Sequence, residues 1–504
     1  MSKSDNEIRV DKNVEDYDQK RREALSKIDN AKFGWFHVRA CLVAGIGFFT
    51  DAYDLFAINL ASTMLGYVYW NKDSPPKEID FGIKVSAAVG TLVGQLLFGW
   101  LADKLGRKRV IIASCGTALA GNGYAISVQA VIIIWRSILG VGIGGDYPLS
   151  AGSMMGAVFA MQGFGILAAA LVSTVILSAF KSSIEADPLN VDYCWRILLG
   201  VGAVPGLLAL YFRLTIPETP RYTMDIERNV EQATRDISNV LTTGTYEDRD
   251  PDAPVVRVEA PRHGWQDFKS YFGKWKNGKV LLGTSVTWFA LDVAFYGIGL
   301  NNTIILNAIG YAKDKRVFQN LWNNSIGNII ITILGTVPGY WFTVLFVDSW
   351  GRKPIQLMGF GLLTIIFIIW GFAYDEIKKG PNAGFIVIFT LAQFFQNFGP
   401  NSTTFIVPGE VFPTRYRSTG HGISAASGKL GAIIAQIIIY VMKSKDKGDS
   451  AYIPTLIKIF ALFMFIGLLF TFLIPETKGL TLEELSMEEQ VGFVKSKEEK
   501  KEDN

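Results

Sequence analysis

Apolar residues run along this chain in blocks of about twenty, separated by short charged loops. The blocks lie near 37–60, 82–103, 110–127, 130–150, 153–180 and 196–216. They return near 278–306, 322–346, 355–373, 382–408, 419–443 and 453–474. Each is long enough to cross a hydrocarbon core of about 30 Å as a helix. None alternates polar and apolar at period two, as a transmembrane barrel requires. Backbone amides must be satisfied inside the hydrocarbon, which leaves helices. The pattern predicts an all-α membrane protein with twelve transmembrane helices.

Composition agrees. A chain of 504 residues with 49% hydrophobic and only 19% charged residues is unusual for a soluble globular protein. Residues 1–36 are charged and hold no apolar core behind a short basic start. No cleaved signal peptide is expected, and the first helix directs insertion. Cys41, Cys115 and Cys194 give neither a disulfide framework nor a metal spacing. His37, His263 and His421 are too scattered for a metal site. Gly140, Gly142 and Gly145 fit G-x-G-x-x-G, but no strand–turn–helix unit surrounds them. Close helix packing explains them better. Without a phosphate-binding G-x-x-x-x-G-K-[ST] loop, ATP hydrolysis has no support. Nothing suggests nucleic-acid binding. The expectation is a protein that is not an enzyme and needs no cofactor.

The chain also repeats itself. "DKLGRK" (Asp103–Lys108) follows the second block and "DSWGRK" (Asp348–Lys353) follows the eighth. "IPETPR" (Ile216–Arg221) ends the sixth and "IPETKG" (Ile474–Gly479) ends the twelfth. Two pseudo-symmetric six-helix halves, 37–217 and 278–475, follow from that register. A charged linker, 218–277, joins them; 1–36 and 476–504 flank them. The basic loops share one side with both termini, which the positive-inside rule makes cytoplasmic. Asp103, Arg107, Asp348 and Arg352 at helix ends suit an inner gate closed by charge pairs. Glu410 and Arg417 lie on the same side, in "PGEVFPTRYRSTG". Helix capping and surface charge are the plainer use of these motifs.

The repeated D-x-x-G-R-K and P-E-T motifs make the chain resemble the major facilitator superfamily. More narrowly it resembles the fungal and plant proton-coupled inorganic phosphate transporters. The residues that carry this are "FFTDAYDLF" (Phe48–Phe56), "GGDYPLS" (Gly144–Ser150), "VFAMQGFG" (Val158–Gly165), "TWFALDVAFYG" (Thr287–Gly297) and the run Gln396–Lys429. The resemblance implies secondary active import of inorganic phosphate with protons across the plasma membrane, by alternating access. A phosphate-sensing receptor, or a carrier of another anion or a sugar, is the alternative. The implied phosphate pocket is built from residues matching Tyr147, Gln162, Trp288, Asp292, Tyr296 and Asn401, with Lys429 nearby.

The residues support this reading in their own terms. Trp288, Asp292 and Tyr296 are spaced i, i+4, i+8 and share one helix face. A carboxylate inside a membrane helix costs several kcal/mol unless it faces a wet cavity or a partner. Protonated, Asp292 could donate to a phosphate oxygen; deprotonated, it would repel one. Gln162 and Asn401 have a plainer use in hydrogen bonds between helices. Lys429 lies at mid-depth, and could attract the anion or pair with Asp292. Asp51 is roughly 21 Å along the first helix from His37, and Arg136 lies roughly 9 Å below the outer end of the fourth. These depths match, so an Asp51–Arg136 pair is expected, as part of a proton route or as a structural ion pair. The role of Asp54 is open. Asp146 suits a proton leaving for the cytoplasm, or a packing or gating role.

One spacing is awkward. Only residues 147–161 separate Asp146 from Gln162. Each arm would need about ten residues to reach the interface from mid-membrane. Either Asp146 lies low, near the inner surface, or the link around Ser150–Met154 has lost residues.

Overall fold

The computed structural model describes residues 35–105, 127–149, 155–207, 265–308, 310–380, 382–413, 416–445 and 451–480. The first half comprises α1 (Trp35–Trp70), α2 (Lys77–Leu105), α3 (Val128–Leu149), α4 (Met155–Ala186) and α5 (Val191–Val201). A short helix, α6 (Trp265–Phe272), leads into the second half. That half comprises α7 (Trp275–Gly299), α8 (Asn302–Ala308), α9 (Val317–Trp350), α10 (Arg352–Phe372), α11 (Tyr374–Lys379), α12 (Asn382–Asn397), α13 (Pro400–Val411), α14 (Arg417–Lys445) and α15 (Ile453–Thr471). Eight of the described helices are long and apolar enough to cross a membrane. The apolar blocks expected from sequence fall on helices where they are described; that near 110–127 lies almost wholly outside the described residues, as does the part of 196–216 beyond 207.

Two of the spans are interrupted, each for a local reason. A π turn at Thr332–Thr336 sits just before Pro338 in α9. Proline lacks an N–H and clashes with the preceding turn, and one wider turn absorbs the misfit. The tenth span breaks at Phe398–Gly399, between α12 and α13, with Pro400 at the first position of α13. The break frees the Asn397 carbonyl, which accepts from Thr343 Oγ1 at 2.8 Å and Ser402 Oγ at 2.9 Å. Neighbouring hydroxyls thus replace water that hydrocarbon cannot supply. The interruption leaves Asn401 in the first turn of α13, at the positive end of a helix.

Helices α2 and α3 pack backbone to backbone. A Cβ on Gly140 would fall 2.2 Å from the Ala87 carbonyl oxygen, and one on Gly144 would fall 2.5 Å from that of Thr91. Gly140 is therefore a close-approach residue, as its sequence context implied. Contacts between the halves occur at both ends. Phe81 packs on Tyr440 with ring centroids 5.2 Å apart, while the other end of the same α2–α14 seam brings Gly99 against Ser418 and Gly422. On the opposite flank Ser173 meets Ser325 at 2.9 Å, linking α4 to α9. Among the described residues, the halves enclose the centre from both sides.

The α6 helix lies in the segment 218–277. Its Phe268, Tyr271 and Phe272 pack around Tyr416, whose hydroxyl donates to Asp267. That part of the segment is an aromatic foot under the second half.

Gly140→Val should disrupt the α2–α3 contact, because no side chain can move away from a fixed carbonyl. Overpacking of this kind costs about 1–3 kcal/mol or more. A lower melting temperature in detergent, or loss of the monodisperse peak, checks this; unchanged melting would refute the close approach.

Candidate functional site

The centre of the fold holds a buried ion pair. Lys429 Nζ lies 3.0 Å from Asp292 Oδ2 and donates to Tyr296 Oη at 2.9 Å. Its ammonium also stands 4.2 Å from the Tyr296 ring centroid, within cation–π range. Asp292 and Lys429 are both almost fully buried. The helix α7 brings Trp288, Asp292 and Tyr296 to one face, as their spacing predicts. Helix α14 reaches them through Gly428, where a Cβ would lie 2.5 Å from Trp288 Cδ1 and 2.9 Å from Asp292 Oδ2. Gly428 is the reason an adjacent lysine can enter this face. Of the two uses open to Lys429 in the sequence, pairing with Asp292 is the one seen.

A second polar group faces it across aromatic rings. Asn401 Nδ2 donates to Tyr340 Oη at 2.7 Å, and Tyr340 in turn donates to Gln162 Oε1 at 3.1 Å. Asn401 also donates to Asn397 Oδ1 at 2.7 Å. Gln162 comes from the first half and the other three from the second, so the group spans the interface. Phe159 and Phe405 stack at 4.3 Å between the two groups, with Phe48 edge-on to both. Trp288 contacts Phe405 and His421 edge-on. Gln162, Trp288, Asp292, Tyr296, Asn401 and Lys429 are therefore brought to one buried, mixed apolar and polar centre. Such a lining suits a small ligand.

Tyr340 was not among the residues expected. In "GTVPGYWF" it reads as one more aromatic of an apolar run. The only hint is Pro338, which marks the disturbed turn that aims it inward. Tyr147 and Asp146 lie on α3, but their side chains fall outside the described residues. Asp146 is three residues before the last described residue of α3, and Gln162 is two turns into α4. The link between them, 150–154, lies outside the described residues.

The expected Asp51–Arg136 pair is not formed. Arg136 donates from Nε to the Ile83 carbonyl at 3.1 Å and from Nη1 to that of Asp54 at 3.1 Å. The carboxylate coupled to it by charge is that of Asp54. Matching depths cannot choose between carboxylates less than one turn apart on α1. Asp51 is buried on α1 nearby.

At the opposite end from the α1–α2 loop, Arg352 opens α10 in a cluster. Its Nη2 is 2.9 Å from Glu410 Oε1, its Nε 3.1 Å from Glu410 Oε2, and its Nη1 2.9 Å from Asp348 Oδ1. Such bidentate contact is strong and directional. Glu476 accepts from the backbone N–H groups of Arg352 and Lys353, each at 3.0 Å. It caps the helix from a distance, satisfying donors that have no partner within α10. Glu476 was read as part of a repeated motif with helix capping as its plainer use, but not as the cap of α10. Arg417 is buried and donates to the Phe412 carbonyl at 3.2 Å. It stands at the start of α14, outside the Arg352 contacts. The side chain of Asp103, and Arg107 altogether, fall outside the described residues.

Comparisons with known proteins give the family and the fold. A model of the family "Sugar (and other) transporter" matches residues 40–488. A repressible high-affinity phosphate permease of Neurospora crassa is 49% identical, over 94% of this chain and 90% of its own length. The inorganic phosphate transporter PHO84 of Saccharomyces cerevisiae is 44% identical, over 94% of this chain and 88% of its own. Among solved structures, the proton:xylose symporter XylE superposes with a TM-score of 0.66 at 20% identity, covering 89% of this chain and 98% of that one. The last likeness shows the fold, which is that of the major facilitator superfamily. On the family match and these two relatives, the chain belongs to the sugar and other transporter family, as a membrane transporter of twelve spans in two halves.

Proposed function

We propose that this protein imports inorganic phosphate together with protons across the plasma membrane, with both termini in the cytoplasm. The observation that carries the reading is the buried Lys429 ammonium, held by Asp292 and Tyr296 at the interface of the halves. A sugar has no use for a full positive charge; an oxyanion does. Beside that charge the Trp288 indole and the Tyr296 hydroxyl can donate to oxygen, and across the Phe159–Phe405 stack so can the Tyr340 hydroxyl and the Asn401 amide. The positive end of α13 adds to the attraction. The 49% and 44% identical relatives are named for phosphate, and their likeness spans nearly the whole chain.

Coupling follows from competition for one ammonium. Asp292 and a phosphate oxygen cannot both hold Lys429 at full strength. A proton on Asp292 removes its charge and frees Lys429 for the anion. Loss of that proton restores the Asp292–Lys429 pair and adds repulsion between carboxylate and phosphate. Proton and phosphate therefore bind better together than apart, and the help is mutual. Asp51, Asp54, Arg136 and Asp146 are proposed as the proton route between this pair and the two faces. Tyr147 and Gln162 are proposed to contact phosphate from the first half. Asp348, Arg352 and Glu410, paired with one another inside the second half, are proposed as the rigid edge of the inner gate, with Asp103, Arg107 and Arg417 as further gating residues. The halves, 37–217 and 278–475, then rock about the centre, joined by the linker 218–277, with 1–36 and 476–504 as cytoplasmic ends.

Asp292→Asn mimics the protonated state permanently. Phosphate binding should persist while gradient-driven accumulation is lost. Labelled phosphate uptake into proteoliposomes, with and without an inward proton gradient, reads both; uptake at the parent rate would remove Asp292 from the mechanism. Thermal melting tests the pair separately. Lys429→Met alone should lower stability by about 3–5 kcal/mol, because it strands a buried carboxylate. Adding Asp292→Asn should recover most of that loss. Additive losses would show that the two groups do not compensate each other.

A further inference from the structure

A second buried charge cluster lies where the first and second halves meet, on the face opposite Arg352. Asp80 Oδ1 is 2.9 Å from Lys84 Nζ and accepts from Ser62 Oγ at 2.8 Å. Asp80 Oδ2 is 3.3 Å from Lys443 Nζ. Ser62 lies on α1, Asp80 and Lys84 on α2, and Lys443 at the end of α14. Lys84 also donates to Asn301 Oδ1 at 3.0 Å, just beyond the end of α7. Asp80, Lys84, Asn301 and Ser62 are all buried, and only Lys443 is partly open. Phe81 and Tyr440 pack beside the cluster, with Lys77 6.0 Å from the Tyr440 ring centroid.

A buried charge is retained against a large desolvation cost, so its geometry needs a reason. Two of these contacts, Asp80–Lys443 and Lys84–Asn301, cross between the halves. The third, Asp80–Lys84, is an i, i+4 pair within α2 and moves with that helix. Separation of the halves on this face breaks the first two and spares the third. Asp80 is never left alone, so opening avoids the penalty of an uncompensated buried carboxylate. This is what a contact made to be broken requires. The cluster is also wired to the centre. Asn301 Nδ2 donates to Gln436 Oε1 at 3.3 Å, and Gln436 Nε2 donates to the Tyr296 carbonyl at 3.1 Å. Tyr296 is the residue whose hydroxyl holds Lys429.

We propose that Asp80, Lys84 and Lys443 form the outer gate of this transporter, and that Asn301 and Gln436 link its closure to the Tyr296–Lys429 centre. Asp80 with Lys84 is the fixed element on the first half. Lys443 and Asn301 are the partners that leave when the outer face opens. The proposal rests on alternating access but not on the identity of the substrate.

Spin labels on Glu78→Cys and Ser444→Cys, in an otherwise cysteine-free full-length chain in lipid, report the outer separation of α2 and α14. The parent should give a dominant near distance. Lys443→Gln, at a partly exposed position, should raise the ratio of far to near populations about five-fold or more, the shift that loss of one such contact produces. Asp80→Asn, which weakens both lysine contacts, should do the same or more. Lys443→Arg should restore the near population. A far-to-near ratio unchanged in both Lys443→Gln and Asp80→Asn would overturn the gate. So would equal opening in Lys443→Arg, since the charge would then be irrelevant. The readout needs no phosphate, so failure of the phosphate assignment would leave this result standing.

Discussion

An ammonium and a carboxylate inside a membrane protein constrain everything around them. Neither Asp292 nor Lys429 could stay charged in hydrocarbon alone, so each fixes where the other must be. Lys429 reaches α7 only because Gly428 lets α14 come within contact of Trp288 and Asp292. Tyr296 completes the grip with its hydroxyl and ring face. The pair is neutral as a unit, which makes it tolerable. In the proposed coupling it is also convertible, because one proton on the carboxylate would turn a closed pair into an available cation. Structure and coupling are then one arrangement at two protonation states.

Hydrocarbon imposes the same discipline on the backbone. Where α12 gives way to α13, the freed Asn397 carbonyl is taken up by Thr343 and Ser402, and the break sets Asn401 at a helix start facing the centre. Where Pro338 disturbs α9, a π turn absorbs it and Tyr340 comes to join Gln162 to Asn401. Irregular backbone is tolerated in membranes where protein surrounds it, and here both irregular stretches supply the site.

Much of this was legible in the chain. Apolar blocks long enough to span gave the helices, and the i, i+4, i+8 spacing of Trp288, Asp292 and Tyr296 gave the face. What failed did so for geometric reasons. Depth along a helix can be counted from sequence, but azimuth relative to a neighbour cannot. That is why Arg136 was matched to Asp51 when it meets Asp54. Tyr340 was invisible because an aromatic in an apolar run carries no mark of the way it points. Asp80 and Lys84 were not singled out, although their i, i+4 spacing and the depth of Lys84 within an apolar run were a readable signal. Glu476 was hidden differently. Its role is to cap a helix more than a hundred residues away, which no local pattern records.

The two ends of the fold solve opposite mechanical problems with the same chemistry. At the Arg352 end a guanidinium is held by two carboxylates, while a third carboxylate, Glu476, caps the helix that carries it. The guanidinium and its two carboxylates lie within the second half and Glu476 just past its end, so the cluster stiffens that half as a body. At the Asp80 end the carboxylate keeps one lysine from its own helix and borrows another from the opposite half. A body that rocks needs rigid halves and a weak seam. Charge pairs confined to one half supply the first, and a carboxylate shared across the seam supplies the second.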